Sequence, residues 1–124
     1  MEFIQARETI KTILLSCGLT GVSNSKIHIP ELLPAGIISL STRIGDIKVM
    51  SGYANQKYKF EIHIVVDECG DSGQTSADEN LIAIVENIDM ALQVELFTEI
   101  DKVEFYDSLM SAKNIRVAKF EVMV

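Results

Sequence analysis

Lys57-Tyr58-Lys59-Phe60-Glu61-Ile62-His63-Ile64-Val65-Val66-Asp67 sets the reading of the whole chain. Tyr58, Phe60, Ile62, Ile64 and Val66 take every second position, and Lys57, Lys59, Glu61 and His63 fill the positions between. Successive side chains of a strand point to opposite faces, so this spacing predicts a strand with one apolar face and one charged face. Such a strand belongs in the middle of an antiparallel sheet that is covered on one side only. The remaining segments are then expected to cover that sheet or extend it.

The covering pieces lie on either side of it in sequence. Phe3, Ala6, Ile10, Ile13, Leu14 and Cys17 recur at three- and four-residue steps, which predicts a helix from about Glu2 to Ser16 ended by Gly18. A second helix is predicted over about Ala77 to Gln93, with Leu81, Ile84, Val85, Ile88 and Leu92 on one stripe. Ser76-Ala77-Asp78-Glu79 has the pattern of a capping box at its start. Ile82 and Met90 lie off the stripe, which points to cover on part of the helix's outer surface as well.

The extending pieces are less regular. Thr20 to Asn24 reads as a turn, Lys26 to Ile29 as a short strand closed by Pro30, and Ile37 to Thr42 as a strand after Pro34. Gly45-Asp46 reads as a turn, and Ile47 to Tyr53 as a weaker edge strand or hairpin arm. Glu68 to Thr75 is a polar loop, Lys102 to Asp107 an alternating strand, and Asn114 to Val124 a last strand. In that last strand Ile115 and Val117 have one parity while Phe120, Val122 and Val124 have the other. A bulge near Ala118-Lys119 would restore one apolar face; otherwise Ile115 and Val117 face a partner. The fold class is thus α+β: a single domain over residues 1–124, with a mostly antiparallel twisted sheet and two helices packed on one face.

Composition narrows the function. The chain has 124 residues, 48% of them hydrophobic, and a formal net charge of −7, which fits one folded domain and disfavours wrapping a nucleic-acid backbone. No run is long and apolar enough for a membrane span, and the first residues have no signal-peptide pattern, so a cytoplasmic protein is expected. Cys17 and Cys69 are then expected to be free thiols.

Chemistry-bearing motifs are few. Gly70-Asp71-Ser72-Gly73 mimics the surround of a protease serine, but His28 and His63 sit in strand patterns and supply no triad. Asp67, Glu68, Asp71 and Asp78 lack the regular spacing of a calcium loop, and the loop glycines lack the lysine of a phosphate-binding loop. No catalytic residue, metal or cofactor is expected. The sheet face opposite the helices is broad and mixed in charge, which makes it a candidate association surface.

With these elements in order, the chain resembles the small tail-terminator, or tail-completion, proteins of long-tailed bacteriophages of the lambda type. The residues that carry the resemblance are the first helix, Leu33-Pro34-Ala35-Gly36-Ile37-Ile38-Ser39-Leu40, the Tyr58-to-Val66 strand, the capped second helix and the final Phe120-Glu121-Val122-Met123-Val124. The resemblance implies a structural protein and not an enzyme. It implies a ring of six copies on the end of the tail tube that stops tube polymerisation and offers a surface to the head connector. The partners are then further copies of itself, the tube protein and the connector, with DNA passing through the lumen and no membrane involved. Assembly would take place in the host cytoplasm and the product would reside in the virion tail. In related rings the sheet and a hairpin make subunit contacts. By that resemblance the candidate interface is Asp46, Lys48, Met50 and Tyr53 in the hairpin arm, and Lys57, Lys59, Glu61 and His63 on the polar strand face. The alternative is a small bacterial α+β domain that binds a ligand or partner on its open sheet face.

Overall fold

The predicted central strand is central. In the computed structural model, which describes residues 2–24, 33–45, 56–67, 73–110 and 113–124, the strand spans Gln56–Asp67. The elements in chain order are α1 (Phe3–Ser16), β1 (Gly21–Ser23), β2 (Ala35–Gly45), β3 (Gln56–Asp67), α2 (Gly73–Leu96), β4 (Val103–Met110) and β5 (Lys113–Met123). They build one five-stranded sheet in the order β1-β2-β3-β5-β4. Only β1 runs parallel to its neighbour, β2; the other pairings are antiparallel. Both helices lie on one face, as the sequence predicts.

The apolar face of β3 is the core. Phe60, Ile62 and Ile64 are fully buried, with Tyr58 and Val66 nearly so. From α1 come Ala6, Ile10, Ile13 and Leu14, and from α2 come Ala77, Leu81, Val85, Ile88 and Leu92. These are the helical stripes read from the sequence, and each side chain of Leu or Ile size contributes about 1.5–3 kcal/mol by leaving water. At the mouth of this core Phe3 stacks on Phe60 with ring centroids 5.8 Å apart, and the Arg7 guanidinium lies 5.1 Å from the Phe3 ring centre.

Several expectations need correction. Thr20 to Asn24 is more than a turn, because Gly21–Ser23 forms β1 and pairs with Ala35 to Ile37. β2 is longer than predicted, and its register on β3 shifts between Leu40 and Thr42, where Ser41 is the extra residue. That bulge moves the side facing away from the helices from Ile37 and Ser39 to Thr42. Helix α2 starts at Gly73, so Ser76 lies inside it and does not cap it. The strand predicted at Lys26–Ile29, the hairpin arm from Ile47 to Tyr53 and most of the Glu68–Thr75 loop lie outside the described residues.

The parity conflict in the last strand resolves without a bulge. Pairing of β3 with β5 runs unbroken from Lys59↔Met123 to Asp67↔Ile115. Phe120 and Val122 therefore face the helices, and Ile115 and Val117 face the other way. There they are buried within the chain itself, in a second cluster with Ile37 and Val65, edged by Leu33 and Met110. The sheet thus has an apolar core on its helix side and a smaller one at one end of its opposite side.

β4 is the largely exposed edge strand beside β5, and besides the packing of its Val103 against the core, one side chain of β5 links it to α2. The Arg116 guanidinium donates through Nε to Asp78 of α2 and through Nη1 to Asp107 of β4, both at 2.9 Å. The Asp78 bond, followed by the Asp107 bond, raises the arginine pKa above its already high ordinary value. A raised value means the stabilisation is complete below the unfolded pKa and is lost only as pH rises through the folded one, so the fork stays charged throughout the neutral range. Arg116→Ala is expected to cost about 1–2 kcal/mol in urea unfolding, at the low end for charged hydrogen bonds because both carboxylates keep access to water. Arg116→Lys should restore little of it, since an ammonium lacks the two-pronged geometry. Faster amide exchange confined to β4 would show which element the fork holds.

Candidate interaction surface

The sheet face turned away from the helices carries the charged half of β3, and the strand register places its neighbours. Lys57, Lys59, Glu61, His63 and Val65 run along it. Across β5 they meet Met123 beside Lys59, Glu121 beside Glu61, Lys119 beside His63 and Val117 beside Val65. Across β2 they meet Thr42, Ser39, Ile37 and Ala35 beside Lys59, Glu61, His63 and Val65. The surface therefore has an apolar, self-buried end and a charged end.

At the charged end opposite charges sit diagonally across the ladder. Lys59 Nζ is 3.5 Å from Glu121 Oε2, and Lys119 Nζ is 3.9 Å from Glu61 Oε1. Pairs of this kind contribute a few tenths to about 1 kcal/mol and fix register more than stability. At the outer corner Lys102 and Glu104 lie 3.0 Å apart. Their hydrogen bond lowers the Glu104 pKa and raises that of Lys102. An open groove of about 550 Å³ runs between these groups, with Lys59, Lys119 and Glu104 on its walls and Phe97 at its lip.

His63 behaves differently from its neighbours. The charged face predicts a histidine that meets solvent or a partner, yet His63 is only 7% exposed. Its Nε2 lies 3.2 Å from Glu61 Oε1, and the Tyr106 ring meets it edge-on at 6.5 Å between centroids. Of the four candidate residues on β3, Lys57 is exposed and Lys59 and Glu61 are half-buried, while His63 is enclosed. Asp46, Lys48, Met50 and Tyr53 lie outside the described residues, so the structure does not place them against this face.

Sequence patterning passed over one residue. Phe97 follows α2 with φ of +53°, a left-handed conformation rare for a bulky side chain, and is 92% exposed. The Thr98 N–H reaches back to the Leu92 carbonyl at 3.4 Å, so the chain folds back on the last turn of the helix at this left-handed residue. Glycine is usual at that position, and its absence hid the helix end.

Among the described residues there is no cluster of His, Cys, Asp and Glu arranged to hold a metal, and no helix long and apolar enough to cross a membrane. Cys17 is a half-buried free thiol, and Cys69 lies outside the described residues. No protein-family model matches the chain, and no curated protein sequence matches it significantly.

Proposed function

We propose that the chain is a structural subunit of a phage or prophage tail, a tail terminator of the lambda type. In this reading it forms a ring on the end of the tube, stops polymerisation and presents the head-joining surface. The observation that carries the proposal is the sheet face on which, among the described residues, no helix lies, with its charge ladder from Lys57 to Glu61 and Lys119 to Glu121. Such a face is broad and fixed in register, and its charges of both signs lie at defined positions, which suits a repeated contact between identical subunits. The element order that resembles that family is the second support. A net charge of −7 suits a subunit around a DNA channel, because a basic lumen would hold phosphates and slow their passage.

The second reading, a ligand-binding domain, draws on the open groove beside Lys59 and Lys119. That groove is wide and lined largely by charged groups, whereas small-molecule sites are mostly enclosed and apolar.

Light scattering over a concentration series, with electron micrographs of the same samples, tests the proposal. Closed rings of six that dissociate when Lys59 and Glu61 exchange charge (Lys59→Glu with Glu61→Lys) are the expected result. A monomer persisting to roughly 1 mM, where even weak specific contacts are populated, removes the self-assembling ring and makes a ligand screen the next step.

A further inference from the structure

β4 forms an edge of the sheet without the devices that usually keep other strands from pairing there. Those devices include a very short strand, a bulge, a proline, or lysines along the edge. The opposite edge, β1, is three residues long. β4 runs for eight, Val103–Met110, with no proline, lysine or arginine, and its register on β5 is unbroken from Val103↔Phe120 to Met110↔Lys113. Among the described residues no strand lies beyond it. In an antiparallel pair only every second residue exchanges its N–H and C=O with the neighbour, so the residues between turn theirs outward along this edge.

The side chains beside the edge are apolar on both faces. Alternation sets Phe105 and Leu109 on the helix side with Asp107, and Tyr106 and Met110 on the other. Phe105 and Tyr106 are each 38% exposed, and Leu109 is 67% exposed. The two acids of the strand are already matched within the chain: Glu104 Oε1 lies 3.0 Å from Lys102 Nζ, and Asp107 Oδ1 accepts from Arg116 Nη1 at 2.9 Å. The edge is thus close to neutral in a chain of net charge −7. Two copies meet here with less repulsion than across α2, whose sequence holds Asp78, Glu79, Glu86, Asp89 and Glu95 and no lysine or arginine.

Self-pairing has a register in which the side chains agree. A two-fold axis beside Asp107 sets Phe105 opposite Leu109 of the second copy, and Leu109 opposite its Phe105, on the helix side. On the other face Tyr106 meets Ser108 and Glu104 meets Met110. Moving the axis by one residue either way sets Phe105 or Leu109 against Asp107. We propose that β4 is a dimerisation edge, through which two copies pair antiparallel into one continuous sheet, with the Phe105–Leu109 pairs in the trough between the two α2 helices. The proposal goes beyond the ring: the contact uses the edge of β4 and not the charged sheet face, and it stands whether or not rings form.

Light scattering and amide hydrogen exchange from about 1 μM to about 1 mM, at low and high salt, test it. The expected result is protection of alternate β4 amides that grows with concentration, while the amides between them, bonded to β5, are protected throughout. Association should strengthen as salt rises, because it joins two acidic chains through uncharged groups, whereas a contact built on the Lys59–Glu61 ladder should weaken. Leu109→Lys, at a site mostly in water, is expected to keep the fold, weaken dimerisation about tenfold or more and free the alternate amides. Val94→Lys, at least as exposed but on α2, should change neither. Alternate amides that exchange freely at every concentration overturn the proposal, even where light scattering finds rings of six. So does protection that survives Leu109→Lys undiminished, or protection in open chains of growing mass, where β4 meets a different edge of the next copy. Dimers with protected edge amides and no rings support the proposal and remove the ring instead.

Discussion

Replacing Phe60 by alanine is expected to remove about 3–5 kcal/mol of folding stability. The side chain is fully buried at the centre of the sheet, between Leu40 of β2 and Val122 of β5 in register, with Phe3 stacked on its ring. Its neighbours are held by two strands and a helix, so they cannot collapse into the space left behind. The cost is therefore that of lost contacts together with the cavity. Urea unfolding gives the value directly. A Phe3→Ala partner variant completes a double-mutant cycle, in which a coupling of about 0.5–1.5 kcal/mol is expected for the stacked pair. A loss under about 1 kcal/mol for Phe60→Ala would mean that β3 is not the strand around which the core is built.

Val65→Asp is expected to be at least as damaging, on the order of 4 kcal/mol or more, and to leave little folded monomer. Val65 shares the parity of Lys57, Lys59, Glu61 and His63, so the alternation of β3 alone would allow a carboxylate there. The structure places it 1% exposed among Ile37, Ile115 and Val117, where an unpaired charge has neither water nor a cation. Lys57→Asp, at the far end of the same strand face, is exposed and is expected to change stability by within about 0.5 kcal/mol. Circular dichroism of the two variants side by side decides the matter. A well-folded Val65→Asp monomer would show that the second apolar cluster is a contact surface and not part of the core.

These two positions mark what the sequence does and does not disclose. The Phe60 side of the sheet is legible because period-two alternation in β3 and three-to-four-residue stripes in α1 and α2 agree on one core. The second cluster is harder, because it depends on which strands are neighbours. Ile37 and Val65 meet only once β2 is registered on β3, and Ile115 and Val117 join them only because β5 pairs with β3. A local signal was present all the same: Ile37-Ile38 and Val65-Val66 are consecutive apolar pairs, and adjacent apolar residues in a strand imply burial on both faces. The start of α2 departs from its sequence pattern for a different reason. Ser76 and Glu79 fit a capping pattern, but the helix extends back to Gly73 through polar residues that carry no apolar periodicity. For the candidate surface, the ladder from Lys57 to Glu61 follows from alternation, whereas enclosure of His63 depends on Tyr106 arriving from an edge strand. Phe97 gave no signal at all, since a left-handed helix end without glycine or asparagine has no compositional mark.

The strand order has a bearing on how the chain reaches this structure. β2 pairs with β3, and β4 pairs with β5, between segments adjacent in sequence, so each pair forms with little loop to close. The β3–β5 seam is different: its partners are separated by the whole of α2 and β4, and the antiparallel ladder along it is what joins the two halves of the sheet. Closing that longer loop demands entropy before the seam returns any contacts, which makes it the step that sets the folding rate. Substitutions along the seam, such as at Ile62 or Phe120, should then slow folding, while those confined to the β4 edge should chiefly hasten unfolding.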